Sequence, residues 1–167
     1  VSFDTNIGHD YLQDVSNRYD FYHEQEERIP FDLDRFNSIT KGGIPNKTLN
    51  VALAGTGVGK SLFMCHVAAS ALTQGRNVLY ITMEMSEERI AERIDANLLD
   101  VPIDQLETLS KDMLMNKVST IASRTNGKLI IKEYPTGQAH ANHFRALLNE
   151  LKLKKNFIPE VIFIDYL

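Results

Sequence analysis

The chain of 167 residues has no tryptophan and a single cysteine, Cys65. One thiol makes an intrachain disulfide impossible and leaves no thiolate cage for zinc. A reducing, cytoplasmic setting fits that usage. Long apolar runs are also missing. None approaches the ~20 residues that a membrane-spanning helix needs, so no membrane partner is expected. No charged segment followed by an apolar stretch opens the chain, so no signal peptide is expected. Basic excess is absent as well: 18 Lys and Arg stand against 22 Asp and Glu, a net charge of −4. Taken whole, this argues against a protein that simply coats nucleic-acid phosphates.

The average conceals an asymmetry. Residues 1–36 hold nine acids and three bases, a net charge of −6, whereas residues 37–167 carry +2. The first fifth of the chain therefore reads as a separate acidic piece. The composition, 43% apolar and 24% charged, is that of an ordinary globular protein and excludes disordered and collagen-like classes. The length points to one domain.

Residues 1–9 read as irregular. Asp10 is placed to cap a helix over 11–27, ended by Pro30. On it Tyr11, Val15, Tyr19 and Tyr22 form one stripe, which docks on the chain's own core or on a neighbouring subunit. Residues 31–48 mix a short helical stretch with turns at Gly42-Gly43 and Pro45-Asn46. Apolar, β-branched runs then predict strands over 49–54, 77–83, 128–134 and 160–167. Between them lie predicted helices over 61–75, closed by Gly75, and 86–99, opened by Ser86. Further helices are expected over 104–124 and 140–155. Such alternation predicts an α/β fold, a parallel sheet with helices on both faces.

The strongest chemical signal is AGTGVGKS, Ala54 to Ser61, between a predicted strand and a predicted helix. This is a phosphate-loop (P-loop) pattern with Ala54 where the usual motif begins with glycine. A triphosphate packs several negative charges into a small volume. The backbone of Gly55, Thr56, Gly57, Val58 and Gly59 can bring N–H donors close to it. The helix beginning near Lys60 adds its N-terminal amides and dipole. Lys60 supplies a point charge to the β and γ oxygens, and the Ser61 hydroxyl is placed to ligate Mg²⁺.

Two carboxylates fall at predicted strand ends, where parallel sheets bind ligands. Asp165 closes VIFID and can hold Mg²⁺ opposite Ser61; otherwise it is a solvated strand-end acid. Glu84 follows LYITM and can orient or deprotonate an attacking water; otherwise it is an acid at a helix start. His140 and His143 share a helix start as capping groups, with a zinc pair as the weaker alternative. Lys152, Lys154 and Lys155 read as a solvated helix end, with a nucleic-acid contact as the weaker alternative. Met64 and Cys65 read as core residues.

The loop, YITMEM and VIFIDYL together resemble a RecA-type ATPase core. More narrowly, the chain resembles the hexameric replicative DNA helicases of the DnaB-like group, and within it the T-even bacteriophage branch. The stretches that carry the resemblance are 8–14, 39–61, 77–101 and 130–167, well over half of the chain. The resemblance implies an ATP- or GTP-hydrolysing motor with Mg²⁺, in which Glu84 is the catalytic carboxylate. It implies a homo-hexameric ring around single-stranded DNA that unwinds duplex 5′→3′, with primase and other replisome proteins as partners. A linker helix before the core packs on the next subunit in that group, and the 11/15/19/22 stripe occupies its place. The implied organisation is an acidic N-terminal segment with the linker helix over 1–30 and the first part of the RecA-like domain over 31–167. The core is then truncated after the Asp165 (Walker B) strand, and such a chain is expected to bind nucleotide weakly and not to unwind DNA by itself. If the resemblance implies a phage protein, its setting is the host cytoplasm. Rival readings remain a RecA-like recombinase or clock-type ATPase, a P-loop kinase, and a nucleotide-dependent assembly module without turnover.

Overall fold

A computed structural model describes residues 8–24 and 26–165. Its helices are α1 (Val15–His23), α2 (Asp34–Ile39), α3 (Lys60–Thr73), α4 (Glu87–Leu99), α5 (Ile103–Leu106), α6 (Lys111–Ala122) and α7 (Ala141–Lys155). Its strands are β1 (Arg28–Ile29), β2 (Ile44–Pro45), β3 (Val78–Thr82), β4 (Leu129–Glu133) and β5 (Val161–Asp165).

The main sheet is parallel, in the order β4-β3-β5. All five β3 residues are buried, which is why VLYIT reads as an unbroken apolar run rather than an alternating one. Val78 and Tyr80, with Phe163 of β5, pack with Cys65, Val67 and Ala68 of α3 and with Ile90 and Ile94 of α4. Leu79 and Ile81 point the other way, onto Leu151 of α7 and Phe157. The expected α/β sheet with helices on both faces is therefore present. Each fully buried aliphatic or aromatic side chain contributes roughly 1.5–3 kcal/mol over exposure.

Local signals end the helices as their residue types dictate. Gly75 takes φ +85° after α3. The Gly75 amide bonds the Leu72 carbonyl and the Arg76 amide bonds that of Ala71, both at 3.0 Å, so the last α3 carbonyls are satisfied. Ser86 caps α4 by accepting from the Arg89 amide at 3.3 Å.

Several elements differ from expectation. The N-terminal helix runs only from Val15 to His23. Asp10 does accept from the Leu12 and Gln13 amides, but it caps a turn ahead of the helix. The helix stops well before Pro30 because Glu24, Glu26 and Glu27 would repel the negative end of its dipole. Tyr11, Val15, Tyr19 and Tyr22 are all exposed, so the stripe does not pack on the chain's own core. The 104–124 stretch divides into α5 and α6, since Ser110 serves as the α6 N-cap, accepting from the Met113 amide. The irregular reading of residues 1–9 falls mostly outside the described residues, as do residues 166–167 of the last predicted strand.

The largest correction concerns 49–54, which forms no strand. Leu49, Val51 and Leu53 are exposed at 91%, 78% and 95%. A strand exists only with a hydrogen-bonding neighbour. No described strand lies beside this run to pair with it.

A short antiparallel ladder, β1 against β2, was not legible beforehand. It depends on Gly43: a Cβ there would stand 2.1 Å from the Ile29 carbonyl oxygen. Gly43→Ala is expected to lower stability by at least ~2 kcal/mol, measured by denaturant unfolding. Wild-type stability in that variant would mean that the ladder gives way without cost. Arg76 then ties this N-terminal part to the core, pairing with Glu27 and, at 2.9 Å, with Glu160.

Two glutamates bolt the sheet's ends. Glu160 accepts from the Asn77 amide at 2.9 Å, and Glu87 from the Glu133 amide at 2.9 Å and Lys132 Nζ at 3.3 Å. These amide bonds are the main cause that holds both carboxyls below the ordinary glutamate value of 4.5. A lowered folded-state value means that their stabilisation is complete above 4.5 and fades as pH falls through the lowered values. Glu160→Gln is therefore expected to flatten the acid decline of the denaturation midpoint; an unchanged decline counts against this role.

Candidate active site

The register of the sheet brings the two predicted carboxylates to one end. Thr82 pairs with Asp165 across β3 and β5, and the Met83 amide continues the ladder onto the Asp165 carbonyl at 2.8 Å. Glu84 follows on a short bend between anchored neighbours. Thr136 Oγ1 donates to the Met83 carbonyl at 2.7 Å. Thr82 Oγ1 donates to the Met85 carbonyl at 2.8 Å and accepts from the Met85 amide at 3.1 Å. Glu84 itself is exposed, so a fixed backbone presents a solvated carboxylate beyond the sheet end.

Asp165 is 1% exposed. It is therefore not the solvated strand-end acid that the sequence left open. The Tyr80 hydroxyl donates to its Oδ2 at 3.0 Å. Its Oδ1 is buried with no hydrogen-bond partner among the described residues. Among the described residues one neutral donor faces this buried carboxylate, which leaves Oδ1 able to accept a further donor or a cation. The Ser61 hydroxyl and the Asp165 carboxylate are hard oxygen donors. They suit Mg²⁺, which keeps its waters and takes one or two carboxylates plus phosphate oxygens.

Tyr80 is the site residue that the sequence reading missed. Its clue was a tyrosine inside an otherwise aliphatic strand, since a buried phenol needs a polar partner. Burial, with Cys65 and Asp165 beside it, pushes its hydroxyl far above the ordinary tyrosine range, so it remains a donor. Burial likewise pushes the Cys65 thiol up, consistent with a core residue and not a reactive one.

The phosphate loop enters α3 directly. Gly57 and Gly59 take φ +75° and +103°, a left-handed backbone that a Cβ disfavours. Ala54 is not among the positive-φ residues, so alanine in place of the usual glycine adds no strain. Gly59 is the N-cap and no side chain caps the helix. The first intrahelical bond runs from the Phe63 amide to the Gly59 carbonyl at 2.9 Å. The Ser61 and Leu62 amides of the first turn precede that bond and so have no intrahelical acceptor, the arrangement that receives anions. Lys60 and Ser61, half-buried, open this helix.

His140 and His143 cap α7, as their place at a helix start suggested. His140 Nδ1 accepts from the Asn142 amide and His143 Nδ1 from the His140 amide, both at 3.3 Å. They form a capping pair for α7, and no cluster of three metal-ligating side chains occurs among the described residues. Lys152, Lys154 and Lys155 lie in the last turn of α7, with Lys154 paired to Glu150.

Residues 29–167 match the family described as the DnaB-like helicase C terminal domain. The chain belongs to that family. A DnaB-like core is RecA-like, and the parallel sheet flanked by helices fits it. The chain is 51% identical over its whole length to the "DnaB-like replicative helicase" of Enterobacteria phage T4. It is 30% identical over 70% of its length to a "Probable plasmid replicative DNA helicase" of Chlamydia psittaci. It is also 28% identical over 76% of its length to the "DNA repair protein RadA" of Rickettsia conorii. It spans 36%, 25% and 30% of those three proteins. No helix among the described residues is long and apolar enough to cross a membrane.

Proposed function

We propose that this DnaB-like chain carries the first part of the NTP-hydrolysing motor of a replicative DNA helicase. On this reading residues 1–30 are an acidic N-terminal segment with the linker helix, and 31–167 are the N-terminal part of the ATPase core. The observation that carries the reading is the pairing of Thr82 with Asp165, which brings Glu84 and a buried, under-bonded carboxylate to one sheet end.

The reaction is in-line attack of water on the γ-phosphate of ATP or GTP. Residues 55–61 hold the phosphates through backbone amides, with the Lys60 charge on the β and γ oxygens. Ser61 and Asp165 would hold Mg²⁺, which would supply charge neutralisation at the phosphates. Glu84 orients the water and takes its proton.

The exposed stripe of Tyr11, Val15, Tyr19 and Tyr22 supports a linker helix that docks on the next subunit of a homo-hexamer. Single-stranded DNA, bound outside this chain, threads that ring, which unwinds duplex 5′→3′ with primase and other replisome proteins as partners, in the cytoplasm of a host cell.

The test is NTP hydrolysis by the whole protein with and without single-stranded DNA. Stimulation by DNA is expected. Hydrolysis that ignores DNA would favour an assembly module or another ATPase. Robust DNA-stimulated turnover by these 167 residues alone would show that the motor needs less than proposed. The RadA-like match keeps one second reading in play, a recombination ATPase; filaments rather than rings by electron microscopy would favour it.

A further inference from the structure

We propose that Tyr80 is a positioning residue for the metal-holding carboxylate: its hydroxyl engages Asp165 Oδ2 and so assigns Oδ1 to the cation. The inference rests on Asp165 being the Mg²⁺ carboxylate, as read above.

Tyr80 on β3 donates across the sheet to Asp165 on β5 at 3.0 Å. Both residues are buried. The Tyr80 ring stacks on Phe163, centroids 5.8 Å apart and planes 15° apart. Phe163 stands two residues before Asp165 on the same face of β5, so the ring that holds the carboxylate is itself held by the same strand. Behind the phenol, Cys65 Sγ donates to the Tyr80 hydroxyl at 3.8 Å. Cys65 lies one turn beyond Ser61 on α3, the helix that begins at the phosphate loop. A line of contacts therefore joins the helix bearing Ser61 to the strand bearing Asp165, with Tyr80 as its middle member.

The donor's chemistry matters. A lysine or arginine in this place would neutralise Asp165 and compete with the cation. A phenol donates one hydrogen bond and leaves the negative charge in place. A carboxylate free to rotate about its side chain presents either oxygen. With Oδ2 fixed to a buried donor, it presents Oδ1, the atom that has no partner among the described residues. Groups that hold a ligating carboxylate in this way typically alter metal affinity by about 10- to 100-fold when removed.

The test is a Mg²⁺ titration of a fluorescent N-methylanthraniloyl-ATP bound to the whole protein, a readout that needs no turnover. Tyr80→Phe keeps the ring and its stack and removes only the hydroxyl. Its Mg²⁺ midpoint is expected to rise about 10- to 100-fold, while affinity for the nucleotide in EDTA stays within about twofold. Asp165→Asn is expected to raise the midpoint too, and adding Tyr80→Phe to it is expected to shift the midpoint no further. A Mg²⁺ midpoint indifferent to Asp165→Asn would remove the underlying reading of Asp165. A midpoint that moves with Asp165→Asn but not with Tyr80→Phe would overturn the positioning role alone, as would full additivity in the double variant. Tyr80→Phe leaves Oδ2 buried and unpaired, so the variant is expected to melt at a lower temperature. The extra rise in Tm that Mg²⁺ gives to the nucleotide-bound protein makes the same comparison in the folded fraction; a rise equal to that of the parent would overturn the proposal.

Discussion

Glu84→Gln is expected to bind nucleotide as the parent does and to lose hydrolysis by ~10²–10⁴-fold, the range that a positioned general base supplies. The substitution keeps the size of the side chain and its capacity to accept and donate hydrogen bonds. It removes the ability to take a proton from water. The backbone at 83–85 is pinned by Thr82 and Thr136, so the amide replaces the carboxylate without moving the bend. Folding is insulated as well, since Glu84 is exposed and surface substitutions usually change stability by under about 0.5 kcal/mol. Phosphate release under saturating nucleotide and a binding titration together make the check. Normal turnover in Glu84→Gln would assign the carboxylate to the helix start and send the search for the base elsewhere.

The second large effect is expected at Lys60, where replacement by alanine should weaken triphosphate binding by at least ~100-fold. A hydrogen bond to a charged group is worth about 1.5–3 kcal/mol, and the lysine is read as serving both β and γ oxygens. Diphosphate binding should suffer less, because one of those contacts is missing already. Alanine remains a good helix former at this first α3 position, so the loop's entry into the helix survives. Titration of both nucleotides against Lys60→Ala, with Lys154→Ala on α7 as a charge-matched control, decides it. Equal losses in the two variants would reduce the lysine to a general charge effect.

Much of the placement of the candidate site's residues is legible in the sequence, for physical reasons. The loop's glycines and lysine announce themselves by type and spacing, since phosphate binding demands a particular backbone. The strand-end positions of Glu84 and Asp165 followed from apolar runs closed by an acid. Helix starts at Ser86 and the stop at Gly75 were equally plain, because capping is local chemistry. What sequence could not supply was pairing. LNVALA is a good strand by composition, yet among the described residues it finds no ladder partner and forms no strand. The β1–β2 ladder is two residues long on each side, too short for a periodic signal. Tyr80 escaped because its role depends on Asp165, a residue 85 positions later. Asp165 likewise sits beside Thr82 of β3, 83 positions earlier in the chain, a pairing that local sequence does not reveal.

The unpaired 49–54 run has a consequence for colloidal behaviour. It is six residues long, uncharged, free of proline and rich in leucine, valine and alanine, the profile of segments that stack into cross-β fibrils. The same run delivers the chain into the phosphate loop, so that loop and the aggregation hazard share one stem. Its sequestration would therefore both steady the proposed nucleotide site and protect against insolubility. Concentrated preparations of this stretch of protein are expected to gain amyloid-dye fluorescence over time, and Val51→Lys to suppress it.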